Sequence, residues 1–134
     1  MADLTYPTAV EINPLPQRIV ATLEAHLSWN DDSSNELVSV VGTTENVGVA
    51  SALVNVNMLP SVGSEVKIRL MDEDKTIIET FAQVIRIERD PSKPQIALSI
   101  SKKLKSWQES ALTAAQDWVT RDIKLNYEGD DWLN

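Results

Sequence analysis

The 134-residue chain has no cysteine, only four glycines and a single histidine. Without cysteine it can form no disulfide, thiol nucleophile or thiolate metal site, which fits a reducing compartment. Gly42, Gly48, Gly63 and Gly129 are too scattered to build a phosphate-binding loop or a dinucleotide fingerprint. His26 has no cysteine or serine partner in a triad-like pattern, and its place on the polar side of an alternating segment marks it as a surface residue. No stretch approaches the roughly 18 apolar residues of a spanning helix, and the N-terminus has neither the basic nor the apolar region of a secretory signal. The expectation is a cytoplasmic protein with no membrane insertion.

Positive charge is also scarce. Twelve Lys and Arg face twenty Asp and Glu, a net charge of −8 that repels DNA and RNA and removes nucleic acid from the expected partners. Between Arg18 and Lys67 there is no Lys or Arg, while Glu24, Asp31, Asp32, Glu36, Glu45 and Glu65 lie in that interval. Asp31-Asp32, Asp72-Glu73-Asp74 and Asp130-Asp131 lack the spacing and central glycine of a calcium loop, so they read as solvated turns and no metal site is expected. With no nucleophile, acid–base pair or metal cluster, catalytic residues are expected to be none.

What the chain does have is alternation. Pro7, Pro14 and Pro16 make residues 1–17 an extended arm. From Arg18 onward Ile19, Ala21, Leu23, Ala25, Leu27 and Trp29 alternate with mostly polar residues, which predicts one long strand with a buried and a wet face. The polar run from Asn30 to Asn35 turns it back into Leu37–Val41 as a hairpin. Ala50, Ala52, Val54 and Val56 alternate next, Pro60 and Gly63 punctuate a turn, and strands follow over Val66–Leu70, Thr76–Glu88 and Ile96–Ile100. Short strands at regular spacing predict a mainly β fold, an antiparallel barrel or sandwich. After Ser101, a plausible N-cap, Leu104, Trp107, Ala111, Ala114, Ala115 and Trp118 form one helical stripe, predicting a helix from about 102 to 120. Residues 126–134, with Glu128, Asp130, Asp131 and Trp132, read as an acidic tail without fixed structure.

The order of these parts resembles the PilZ family, six-stranded antiparallel β-barrels with a C-terminal helix, many of which receive cyclic diguanylate. The resemblance rests on Asn46-Val47-Gly48-Val49-Ala50-Ser51, the Gly63 turn, the long strand ending at Ile87, the short strand Ile96–Ile100 and the helix. It covers residues 14 to 120 and divides the chain into an arm over 1–17, a barrel plus helix over 18–125 and a tail over 126–134. The family signature is Asp or Asn, any residue, Ser, two residues, then Gly; Asn46 fits, while Gly48 and Ser51 have exchanged places. The family's arginine pair, four residues apart ahead of the first strand, is reduced to Arg18, with Pro14 in the first position.

The resemblance therefore implies candidate ligand contacts at Arg18, Asn46, Gly48 and Ser51, aided by a cation such as Arg86 or Arg89. An arginine suits this ligand because its planar fork meets phosphate oxygens or a guanine edge. Proline offers neither charge nor donor, so the expected reading is a regulatory, non-enzymatic module acting through a protein partner, with no cofactor and only weak cyclic diguanylate binding. The alternative is a genuine receptor with a non-standard site. Trp107, Trp118 and Trp132 are candidate partner contacts, for another protein or for a homo-oligomer; packing on the barrel is the other use of the Trp107 and Trp118 stripe.

Overall fold

The computed structural model describes the backbone of residues 18–132 and the side chains of residues 18–124. Its elements are β1 (Arg18–Ile19), β2 (Glu24–Asn30), β3 (Leu37–Gly48), β4 (Ser51–Asn55), β5 (Glu65–Asp72), β6 (Lys75–Glu88), β7 (Gln95–Ile100) and α1 (Leu104–Trp132). The sheet order β1-β3-β2-β5-β6-β7-β4 is closed by a further β3–β4 pairing, and every pairing is antiparallel. Strands β2 to β7 thus form the six-stranded barrel with a C-terminal helix that the sequence implies, and β1 lies against the end of β3. The expected arm over 1–17 lies outside the described residues.

Alternation places the core. Ala21, Leu23, Ala25, Leu27 and Trp29 all point inward, as do Val66, Ile68 and Leu70 of β5 and Ile96, Leu98 and Ile100 of β7. Two turns are set by local chemistry. The Asp31 carboxylate accepts the backbone N–H groups of Ser33 and Ser34 at 3.2 and 3.0 Å, and Asn35 takes a φ of 58° to lead into β3. In the β5–β6 hairpin Asp72 pairs with Lys75 around Glu73 and Asp74, whose φ values of 51° and 67° are those of a type I′ turn.

Three expectations need correction. The first strand is not continuous from Arg18: ladder pairing stops after Ile19 and resumes at Glu24. Thr44 is the reason. Its buried hydroxyl accepts the Leu23 N–H at 2.9 Å and donates to the Ala21 carbonyl, so a side chain replaces ladder bonds while the inward alternation of Ala21 and Leu23 persists.

Second, Ser101 is not the N-cap. Its N–H donates to the Phe81 carbonyl at 3.0 Å and still belongs to the barrel, whereas the Lys103 carbonyl accepts the first helical N–H, that of Trp107. Lys103 has a φ of 56°, the kink that turns the chain from strand to helix. Leu104, expected in the buried stripe, is 42% exposed as a result.

Third, α1 continues to Trp132 instead of ending near residue 120, so residues 126–132 are helical backbone and not a separate structureless tail. No proline interrupts this stretch, and Gly129 alone does not stop it. The helix packs chiefly on β6, and on β3 and β1, through Trp107, Ala111, Ala114 and Ala115, with Trp118 partly buried beside them. Further along, Arg121 Nη2 donates to both carboxylate oxygens of Asp72 at 2.9 Å and ties the helix to the β5–β6 turn. Among the described residues no helix is long and apolar enough to cross a membrane, and no cluster of three metal-ligating side chains occurs.

Candidate functional site

Strand β1 is only two residues long, yet it places Arg18. Arg18 is paired with Gly48 and Ile19 with Val47, which brings Arg18 alongside the end of β3. From there its Nη1 donates to Oδ1 of Asn46 at 2.8 Å, joining two residues 28 apart in sequence. A register shift in the β3–β4 pairing between Thr44 and Asn46 sets the direction in which Asn46 projects. After the bend at Val49 and Ala50 the chain re-enters the sheet at Ser51, opposite Ser99 of β7.

Arg18, Asn46 and Ser51 line one cleft of about 250 Å³ together with Leu53, Ile85 and Arg86. Gly48 is not part of that lining. It is buried, and its carbonyl accepts the indole N–H of Trp107 at 2.9 Å. The structure therefore brings together three of the four ligand-contact candidates and gives the fourth a packing role. Arg86 joins them from β6, whereas Arg89 is absent from the lining. Ile85 is 53% exposed on the outward phase it shares with Gln83, and the β6–β7 register shift between Val84 and Arg86 turns Arg86 to the same face, opposite Ala97. Ile85 lies within an ordinary strand pattern, so no sequence signal marks it.

Charge around the cleft is modest. Arg18 and Arg86 enter no ion pair among the described residues. One residue before Asn46, the Glu45 carboxylate contacts Lys93 Nζ at 3.1 Å and accepts from Asn55 Nδ2 at 3.2 Å. The Lys93 hydrogen bond, then that of Asn55, holds the Glu45 pKa below its ordinary value. The acid next to the signature asparagine is thus ionised and already partnered.

Trp107 is wholly enclosed, with 0% exposure, so it cannot serve as a partner contact. This corrects its candidacy, and the cause is its hydrogen bond to Gly48 combined with its place on the buried helical stripe. Trp118 is partly buried against the same core, and the Trp132 side chain lies outside those described. His26, expected at the surface, lies there partly covered: Nε2 meets the Glu24 carboxylate and Nδ1 lies 3.5 Å from Arg69 Nη2. It lines a second cleft of about 360 Å³ on β2, β3 and β5 with Ser28, Ser39, Lys67 and Arg69.

No family model and no curated protein sequence matches the chain. Solved structures do. The chain is similar to the PilZ domain of YcgR from Escherichia coli, solved with c-di-GMP, at a TM-score of 0.58 and 11% identity, over 80% of this chain and 94% of that one. It is also similar to the inhibitor of motility MotI/DgrA of Bacillus subtilis, at a TM-score of 0.55 and 21% identity, over 84% of this chain and 53% of that one. The fold is PilZ-like.

Proposed function

We propose that this protein is a cytoplasmic, non-enzymatic regulatory module of cyclic diguanylate signalling that acts mainly through contacts with a protein partner, its nucleotide site being degraded. The observation that carries this reading is the bond from Arg18 to Asn46. The one guanidinium left of the family's pair is engaged by the signature asparagine, and Pro14 supplies neither charge nor donor in the other position. Each missing charge-assisted contact weakens binding by about 1.5 to 3 kcal/mol, or one to two decades. The cleft of about 250 Å³ also falls below the roughly 300 to 1,000 Å³ that encloses a drug-sized ligand, so a dinucleotide would lie mostly outside it.

Arg86 favours a second reading. It places another guanidinium in the same cleft as Arg18, from a different strand, and so offers a substitute for the missing arginine of a genuine receptor. Calorimetric titration with cyclic diguanylate separates the two. Undetectable binding, or a Kd of about tens of micromolar or weaker, is expected for the degraded site. Sub-micromolar affinity that Arg18→Ala or Arg86→Ala abolishes would establish the receptor. Because Gly48 is enclosed, restoration of the family pattern begins with Pro14→Arg alone, which should tighten binding without disturbing the packing under Trp107.

A further inference from the structure

Strand β3 is paired unequally on its two sides. β2 accompanies it from Leu37 to Thr43, whereas β4 accompanies it only from Thr43 to Val47. Beyond Asn55, opposite Thr43, the chain leaves β3, and Val56 N–H donates to the Pro94 carbonyl instead. Among the described residues, Leu37 to Val41 therefore has a neighbouring strand on one edge only. Ladder parity identifies the groups left over. Thr44 N–H donates to the Leu23 carbonyl, so Ala25 with Gly42, Leu27 with Val40 and Trp29 with Val38 are the hydrogen-bonded pairs. The N–H and C=O groups of Leu37, Ser39 and Val41 face the open edge.

Among the described residues, none of the usual devices protects that edge. Charges, proline or a bulge commonly blunt exposed strands. From Leu37 to Thr44 there is no charged residue and no proline, in a chain that is 24% charged, and the register shift comes only after Thr44. Leu37 and Val41 are 69% and 58% exposed, and the inward-facing Val38 and Val40 are only partly buried.

We propose that this edge pairs with the same edge of a second copy, antiparallel about a two-fold axis through Ser39. The outward-facing groups at Leu37, Ser39 and Val41 are symmetric about Ser39, so Ser39 faces its own counterpart and Leu37 faces Val41 in hydrogen-bonded pairs. Val38 then opposes Val40 and completes their cover. Self-complementarity of this kind is what an isologous two-fold contact requires, and an unrelated extended peptide would not require it. The seam itself brings no like charges together: two chains of net charge −8 meet along an uncharged strip, and Glu36 falls opposite Gly42 and not opposite an acid. Five residues per copy bury less than the roughly 1,200 Å² of a stable interface, so the dimer is weak and forms at about tens to hundreds of micromolar.

The absence of native cysteine makes single cysteines clean reporters. In the proposed register the two Ser39 Cα atoms lie about 5.5 Å apart, within disulfide reach. The two Val41 residues are displaced by four residues along the strands, about 13 Å, and are out of reach. Mild oxidation at about 100 µM, within the expected association range, should convert Ser39→Cys to a covalent dimer and leave Val41→Cys monomeric. Sedimentation should show a concentration-dependent dimer of the unmodified chain that Ser39→Lys abolishes while the melting temperature holds. The proposal is overturned if the unmodified chain stays monomeric to about 500 µM, above the expected range, or if Val41→Cys crosslinks as readily as Ser39→Cys. A dimer that survives Ser39→Lys, or one that appears only after removal of residues 1–17, also overturns it, the last result assigning the edge to the chain's own N-terminal segment.

Discussion

The indole N–H of Trp107 donates to the carbonyl of Gly48 at 2.9 Å, a bond between residues 59 apart in sequence. It fastens the first turn of α1 to the end of β3, next to the strand pairing that places Arg18. The helix and the candidate cleft therefore share one structural support, and a buried donor and a buried acceptor satisfy each other there.

Trp107→Ala should destabilise the protein by about 3 to 5 kcal/mol, the range for truncating a large core side chain. Trp107→Phe keeps much of the packing but strands the Gly48 carbonyl, costing about 1 to 3 kcal/mol. Urea unfolding of the two variants should rank them in that order; equal loss would mean that the hydrogen bond contributes nothing beyond packing.

Gly42→Ala tests barrel closure. An added Cβ would lie 2.1 Å from the Asn55 carbonyl oxygen and 2.6 Å from Val56 Cγ1, and the oxygen belongs to the backbone. Since β3 and β4 must separate to admit it, the loss should reach or exceed the about 1 to 3 kcal/mol of ordinary overpacking. Chemical denaturation reads this directly, and an unchanged midpoint would contradict the close approach.

Asp74→Gly should stabilise. Asp74 has a φ of 67°, a region that glycine occupies without steric cost. The gain of about 0.5 to 1 kcal/mol is what remains of the left-handed penalty after the added flexibility of the unfolded chain. Glu73 should be kept in this experiment, because Arg121 Nη1 donates to it at 3.4 Å. A lowered melting temperature would count against the type I′ assignment.

Arg121→Ala should have a small effect on global stability, because ion pairs at the surface are weak. The local effect is larger: amide exchange in α1 beyond Val119 should accelerate, since Arg121 ties that part of the helix to Asp72 and Glu73. Unchanged exchange there would remove the clamp from the account.

Acid stability follows from three carboxylates. Hydrogen bonds from Ser33 and Ser34 lower the Asp31 pKa, those from Ser92 lower that of Asp90, and Lys93 followed by Asn55 lowers that of Glu45. A carboxyl group depressed in the folded state adds stability above its unfolded pKa, about 3.9 to 4.3 here, and that stability disappears as pH falls through the lower folded value. Melting temperature should therefore be insensitive to these groups from pH 5 upward and fall below about pH 4. Asp31→Asn should flatten the acid limb; an unaltered limb would assign it to other groups.

Much of this molecule is legible in residue order, and the exceptions have physical causes. Alternation along Ala21–Trp29 and Ile96–Ile100 announces inward faces because the side-chain period of a strand is two. The Asn46 signature with Arg18 locates the cleft. Alternation cannot reveal that Thr44 would replace ladder bonds with its hydroxyl, because that requires knowing which strand lies opposite Ala21 and Leu23. Ser101 has the chemistry of a cap, yet continued strand pairing to Phe81 claims its backbone first. Trp107 lies on the helical stripe that the sequence offers for packing on the barrel, but its bond to Gly48 depends on which strand end the helix meets. Arg86 enters the cleft through strand order and a register shift, neither of which leaves a mark in a single sequence, while Ile85 stays on the outward phase of its strand.

The ring of strands also sets the tempo of folding. The β5–β6 and β6–β7 hairpins join neighbours along the chain, but the ring closes only when His26 meets Arg69 and Ser51 meets Ser99. Those closures carry a loop-entropy cost that the local hairpins do not, which places this protein among slow-folding β topologies, on the millisecond-to-second scale. The meanders β2-β3-β4 and β5-β6-β7 are the parts able to form first, and α1 can dock only once the end of β3 is in place to receive Trp107.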